Sequence, residues 1–223
     1  QAMVSAQTAE RAISAGNYLG PLHGVPIAVK DLCYTKGVAT MGATKALVNN
    51  VPDFDCTVVE RLNAAGAVIL GKLNLTEGAM AGYNPEFQVP VNPWGANLWS
   101  GASSSGSGVA TSAGLCYGSL GSDTGGSIRF PSAACGIVGI KPTWGRVSRY
   151  GVLALAESLD HIGPMTRSAA DAGIILQAMA GLDPNDPTTL PAPVPDMLGE
   201  IGQGVRGIRI GLDEEYISGN TDP

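Results

Sequence analysis

Apolar and polar positions along this chain fall by turns into helical and extended periods. Residues 2–15 have a helical pattern, and residues 25–29 read as a short buried strand. Within residues 56–65, Val58, Val59, Leu62 and Ala65 share one face while Glu60 and Arg61 take the other, which is amphipathic helix spacing. Residues 67–70 are continuously apolar and end at Gly71, as expected of a strand buried on both faces. A short helix is predicted for 73–80, and a Pro/Asn-rich loop for 83–98. The small residues of 105–114 suit a closely packed helix, and 137–140 and 208–212 are further strand candidates. Residues 168–181 make the clearest helix. It opens on Ser168-Ala-Ala-Asp171, a capping box with Asp in place of Glu, and stops at Gly181. Residues 183–197 are Pro-rich and read as an exposed connection. No internal repeat is present. Strands alternating with helices predict an α/β chain whose sheet is covered by helices on both faces.

Composition narrows the class. With 44% apolar and only 14% charged residues among 223, the chain can bury a substantial core, as one domain or part of a larger one, and is not a disordered tail. A net charge of −6 without a Lys/Arg cluster argues against nucleic acid or an anionic membrane as the main partner. A small neutral molecule fits better. Cys33, Cys56, Cys116 and Cys135 are dispersed with no CxxC pair, so free thiols in a reducing cytosol are expected and a zinc site or disulfide framework is not. No apolar run approaches the ~18 residues of a membrane span. Residues 1–16 read as a polar helix and not a signal peptide, although the chain begins without Met, which leaves a leader open.

The glycines carry the next signal. Many of the 31 Gly crowd between Gly101 and Gly151, more than helix or strand interiors hold cheaply. Most serve tight turns. Gly125-Gly126-Ser127, however, gathers consecutive backbone N–H groups around one hydroxyl, a nest for an anion: a tetrahedral oxyanion if the hydroxyl attacks a carbonyl, or a phosphate. Nucleotide binding fails on motifs. Residues 66–73 nearly match a P-loop, but Leu73 stands where Mg-binding Ser/Thr is needed and four apolar residues fill the loop, so this is a strand end. No GxGxxG follows a strand, and no GxSxG elbow occurs. Asn74-Leu75-Thr76 fits a glycosylation sequon, of little meaning in the cytosol.

Histidine is scarce. Neither His23 nor His161 has a ligand-spaced partner set, so a metal site is not expected. His23 reads as a structural residue at a strand entrance, and His161 as a candidate for lining a pocket. A Ser-His-Asp triad remains open, but a serine-lysine arrangement has better-placed pieces.

Gly24-Val25-Pro26-Ile27-Ala28-Val29-Lys30-Asp31, Gly101-Ala102-Ser103-Ser104-Ser105-Gly106-Ser107-Gly108, Gly121-Ser122-Asp123-Thr124-Gly125-Gly126-Ser127-Ile128-Arg129 and Gly136-Ile137-Val138-Gly139-Ile140-Lys141-Pro142-Thr143 resemble, in order and spacing, the amidase signature family. The resemblance runs on through Gly163-Pro164-Met165-Thr166-Arg167. It implies a mixed β-sheet core covered by helices on both faces, no cofactor, and a Ser-cisSer-Lys triad. Ser127 matches the nucleophile, Ser103 the bridging serine behind a cis peptide, and Lys30 the base. Thr124, Gly125, Gly126 and Ser127 match the backbone donors of the oxyanion hole. Ala102 departs from the glycine usual at its position. Asp123 and Arg129 are expected to brace the nucleophile loop as an ion pair, Lys141 to be a surface or structural cation, and Ser104, Ser105, Ser107 and Ser122 to cap helices and bond loops. Members of the family are considerably longer, so residues 1–223 are expected to form a single domain, incomplete at both ends, comprising its N-terminal and central part.

Three functions follow as expectations. The first is hydrolysis of a carboxamide-type bond (amide, anilide, ester or carbamate) by a cytoplasmic, free-standing amidase, with a homodimer left open. Thr76-Glu77-Gly78-Ala79-Met80 and Val91-Asn92-Pro93-Trp94 favour it. The alternative is the glutaminase subunit of a tRNA-dependent amidotransferase, suggested by Gly145-Arg146-Val147-Ser148-Arg149-Tyr150-Gly151. A non-catalytic anion-binding module is the third, and it leaves Lys30 unexplained.

Overall fold

A computed structural model describes residues 1–80 and 82–219. Five strands, β1 (Pro26–Lys30), β2 (Val68–Leu73), β3 (Gly118–Asp123), β4 (Val138–Gly139) and β5 (His161–Thr166), form one mixed sheet in the order β2-β1-β3-β5-β4. The pairs β2·β1 and β1·β3 are parallel, whereas β3·β5 and β5·β4 are antiparallel. Helices α1 (Ala2–Ser14), α2 (Thr57–Ala64), α3 (Ser105–Ser112), α4 (Arg129–Cys135) and α5 (Ala169–Met179) surround it, and α6 (Glu214–Ser218) follows near the C-terminal end. No helix among the described residues is long and apolar enough to cross a membrane.

Strand alternation divides β1 between two layers. Ile27 and Val29 are fully buried in a core shared with Val58, Val59 and Leu62 of α2 and Ile175, Leu176 and Met179 of α5. Ala28 points the other way, onto Ala110 of α3. Lys30 comes two residues after Ala28, so its side chain leaves the sheet on the α3 side, the side from which the serine-rich loop approaches. The α/β sheet with helices on both faces agrees with the expectation.

Several elements differ from the pattern reading. Residues 73–80 contain only a 3-10 turn, Glu77–Ala79, because β2 runs on to Leu73. Far from being buried on both faces, β2 is an edge strand with Leu70 exposed. Residues 208–212 are exposed coil: their apolar side chains have no strand partner among the described residues. By contrast, β3 and β5 escape the apolar pattern because their residues are chosen for closeness. A Cβ on Gly121 would lie 2.7 Å from Met165 Sδ and 2.9 Å from Ser104 Oγ, and one on Gly163 would collide with the Ile140 carbonyl and approach Ile128 at 3.0 Å. The α5 start is as expected, Ser168 Oγ accepting the Asp171 N–H at 3.1 Å.

Gly163→Ala is expected to lower stability by about 1–3 kcal/mol, because the added methyl meets main chain that cannot rotate away. Gly71→Ala, whose Cβ meets open space, serves as the matched control. Urea unfolding of both variants checks this, and equal midpoints would contradict it.

Candidate active site

The site assembles where the C-terminal ends of β1 and β3 meet the N-terminal end of α3. Lys30, the last residue of β1, is only 1% exposed. Its Nζ donates to three hydroxyls: Ser103 Oγ at 2.7 Å, Ser104 Oγ at 2.9 Å and Ser122 Oγ at 2.9 Å. Burial drives the lysine pKa from 10.5 down to about 7, against the weaker opposing pull of Cys33, Asp123 and Asp160. A drop of that size corresponds to roughly 5 kcal/mol against the charged form. Near neutral pH the group therefore exists as both ammonium and amine.

The three hydroxyls are not equivalent. Ser104 Oγ donates to the Ser122 carbonyl at 3.1 Å and accepts from the Ser122 N–H at 3.2 Å, so its proton is committed. Ser103 is free of such a commitment and has the shortest contact to Lys30. The Ala102–Ser103 peptide bond is cis. The sequence pattern assigns Ser104 and Ser122 to capping or loop bonding; Ser104 does bond main chain, at Ser122, but makes no side-chain cap bond to α3, and both hydroxyls also help to cage the amine. Ser107 meets its expectation by donating to the Leu120 carbonyl at 2.8 Å.

The loop 124–128 is held from within by one carboxylate. Asp123, fully buried, accepts the Gly126 N–H on Oδ1 at 2.7 Å and the Ile128 and Arg129 N–H groups on Oδ2 at 3.1 and 3.4 Å. Arg129 adds a fork, Nε to Oδ2 and an Nη to Oδ1, each at 3.0 Å. Burial alone would raise the Asp123 pKa, but the Arg129 fork and the backbone donors outweigh it and hold the carboxyl below the usual range. The expected brace is thus present. Its geometry also takes the Gly126 N–H out of use as a free donor, whereas the Thr124, Gly125 and Ser127 N–H groups have no acceptor among the described residues.

Ser127 is half-buried, and its loop meets the other serine loop through main chain, Ser104 N–H donating to the Ser127 carbonyl at 3.2 Å. The Ser127 hydroxyl forms no hydrogen bond among the described residues, so Ser103 and Ser127 are neighbours by loop contact and not by a hydroxyl pair.

Two residues set the far side of the loop. Asp160, buried and missed in the sequence, accepts the Thr124 hydroxyl on Oδ1 and the Leu155 and Ala156 N–H groups on Oδ2 at 2.8 and 3.0 Å. Nothing in its local sequence distinguishes it from a turn aspartate. His161 does not line the main cavity; its Nδ1 contacts the Asp123 carbonyl at 3.1 Å and its Nε2 contacts Lys141 Nζ at 3.2 Å. That cavity, about 500 Å³, is bordered by Ser122, Asp160, Ile162, Arg149, Trp144 and Leu153, among others. His23 is structural as expected, accepting the Leu19 N–H at 3.2 Å. Lys72, from the false P-loop, pairs with Asp31 at 3.2 Å.

The family model described as Amidase matches residues 1–223. A Mycobacterium tuberculosis protein that carries the name "Putative amidase AmiD" is 56% identical over 212 residues, covering 95% of this chain and 44% of that protein. The A-subunit of the glutamyl-tRNA(Gln) amidotransferase from Anaeromyxobacter dehalogenans is 49% identical over 224 residues, covering 100% of this chain and 46% of its own length. Among solved structures, the native peptide amidase of Stenotrophomonas maltophilia superposes with a TM-score of 0.83 at 40% identity, over 88% of this chain and 42% of that one. The chain therefore spans somewhat under half the length of these relatives.

Asp123→Asn is expected to cost about 1–3 kcal/mol at neutral pH, because the buried Gly126 and Ile128 N–H groups lose the carboxylate that accepts them, while Arg129, half-exposed, can turn to water. The carboxylate's contribution is present above the ordinary aspartate pKa and disappears only as pH falls through its lowered native value. Urea titrations from neutral pH into strong acid should show the wild-type advantage shrinking only at the acid end; a constant difference would contradict this.

Proposed function

The chain belongs to the Amidase family, and from that premise we propose that residues 1–223 carry the nucleophile, relay and base of an enzyme that hydrolyses carboxamide-type bonds through a serine acyl-enzyme. The observation that supports it most is Lys30: a fully buried amine with a pKa near 7, bonded to hydroxyls and to no carboxylate. An ammonium placed there to bind anions would gain from staying charged. A base gains from being neutral.

In this reading the neutral Lys30 amine takes the proton of Ser103, Ser103 takes that of Ser127, and Ser127 Oγ forms a bond to the substrate carbonyl carbon. The carbonyl π electrons move onto oxygen, and that oxyanion is held by loop N–H groups, with Thr124, Gly125 and Ser127 the free donors. Collapse breaks the carbon–nitrogen bond, and the leaving nitrogen recovers the proton from Lys30 through Ser103. Water then attacks the ester by the same relay and releases the acid. Neither metal nor cofactor enters these steps. The substrate is a small neutral amide-like molecule, in a cytoplasmic setting.

A second reading keeps the chemistry and changes the context. The 49% identity to an amidotransferase component over this whole chain favours a glutaminase working beside partner subunits. The 56% identity to the protein named "Putative amidase AmiD" supports the first. Glutaminase activity that appears only when partner subunits are added would select the second.

Treatment of the full-length protein with a fluorophosphonate, with the adduct mapped by mass spectrometry, is expected to mark Ser127. Ser127→Ala should lose the label, and Lys30→Ala should slow labelling by about 10²–10⁴-fold. Label persisting in Ser127→Ala would reject the nucleophile.

The labelling rate of the wild type should also depend on pH with a definite sign. Below about 7 Lys30 is an ammonium and cannot accept a proton, so the rate should climb as pH rises through about 7 and then level off. A rate independent of pH across that range would remove Lys30 as the base.

A further inference from the structure

We infer that His161, fixed as its Nδ1–H tautomer by Lys141, is a positioning residue that orients the Asp123–Thr124 peptide of the oxyanion loop. The inference rests on the proposed reading of loop 124–127 as the oxyanion hole.

The sheet register creates the contact. His161 and Asp123 are cross-strand partners in the antiparallel β3·β5 pair. The imidazole Nδ1 lies 3.1 Å from the Asp123 carbonyl oxygen. A carbonyl can only accept, so Nδ1 must carry the proton. The other ring nitrogen then holds a lone pair, and Lys141 Nζ, 3.2 Å away, supplies the donor for it. Lys141 is itself steadied by donating to the Pro142 carbonyl at 2.9 Å. Which ring nitrogen bears the proton is decided by the partner of each, and here both partners demand the same tautomer.

The consequence passes through a rigid peptide plane. The Asp123 carbonyl and the Thr124 N–H belong to one planar unit and point in opposite directions. Holding the oxygen with an imidazole donor therefore aims the Thr124 N–H, and polarisation of the unit strengthens that N–H as a donor. Thr124 is anchored a second time, its hydroxyl bonding to Asp160. Asp123 is gripped at both of its polar ends: the carboxylate organises Gly126, Ile128 and Arg129, and the carbonyl is turned by His161. With both ring nitrogens engaged in this way, neither is available to a serine. His161 therefore acts through Thr124 and not as a general base, which closes the Ser-His-Asp alternative for this residue.

Selective 15N labelling of histidine and long-range proton–nitrogen correlation at neutral pH should show His161 as the Nδ1–H tautomer, and Lys141→Met should replace it by a mixture. An Nε2–H tautomer in the wild type would overturn the inference. With an amide substrate turned over by the full-length protein, His161→Ala should lower kcat by about tenfold, less than the 10²–10³ seen when an oxyanion donor is removed outright, with KM nearly unchanged. His161→Asn, whose amide nitrogen can take the place of Nδ1, should recover most of the loss. Unchanged kcat in His161→Ala overturns the role. A wild type that never labels at Ser127 counts against the proposed function instead. In that case Thr124 amide exchange still decides: faster exchange in His161→Ala supports the positioning, and unchanged exchange overturns it.

Discussion

Everything in this site depends on an amine removed from water and given only hydroxyls as company. Lys30 is the largest fully buried side chain in the described structure, and the nearest polar atoms to its Nζ are three serine oxygens. Had a carboxylate stood at that distance, the charged form would have been favoured and the pKa would have stayed high. The uncompensated desolvation is what makes the neutral amine accessible near neutral pH, as the proposed base role requires. Its cost is borne by the sheet: Lys30 is extruded from the same strand whose Ile27 and Val29 are fully buried in the core shared by α2 and α5.

The carboxylates that are present lie where they steady the loop without neutralising the amine. Asp123 spends its charge on Arg129 and three backbone N–H groups, and Asp160 on Thr124 and two more. Both act on Lys30 only as secondary attractions, weaker than burial. The loop that carries Ser127 is thus shaped by acceptors inside it and behind it. A backbone with so many N–H groups turned inward would otherwise leave donors unsatisfied in a dry interior.

Close approach is the other constraint. Gly106 packs its backbone against Asn74, Gly121 faces Ser104 and Met165, and Gly163 lies against Ile140 and Ile128. These contacts draw α3, β3 and β5 near enough for serines from separate segments to reach one amine. Small residues here are a condition of the geometry, which is why the central strand β3 reads Gly-Ser-Leu-Gly-Ser-Asp and not as an apolar run.

Local pattern was enough for elements that bury a face of their own. The α2 stripe, the Ser168 cap and the apolar β1 all follow from side-chain period and capping chemistry, and the serine and glycine motifs around Lys30, Ser103 and Ser127 were legible because their residue types are so unusual together. Pattern failed where a segment's state is set by its neighbours. β3 and β5 are strands because they pair with each other, residues 208–212 are coil despite their apolar period, and Ser104 has the look of a cap until Lys30 is seen to reach it. Asp160 and His161 could not be distinguished in the sequence from turn and pocket residues, since their partners, Thr124 and the Asp123 carbonyl, lie across the sheet. The sequence by itself determined which chemical groups exist and the local shapes they favour. Only the tertiary structure decided which hydroxyls surround the amine, which N–H groups are already taken and which way a peptide plane faces, because each depends on distances between segments far apart in the chain.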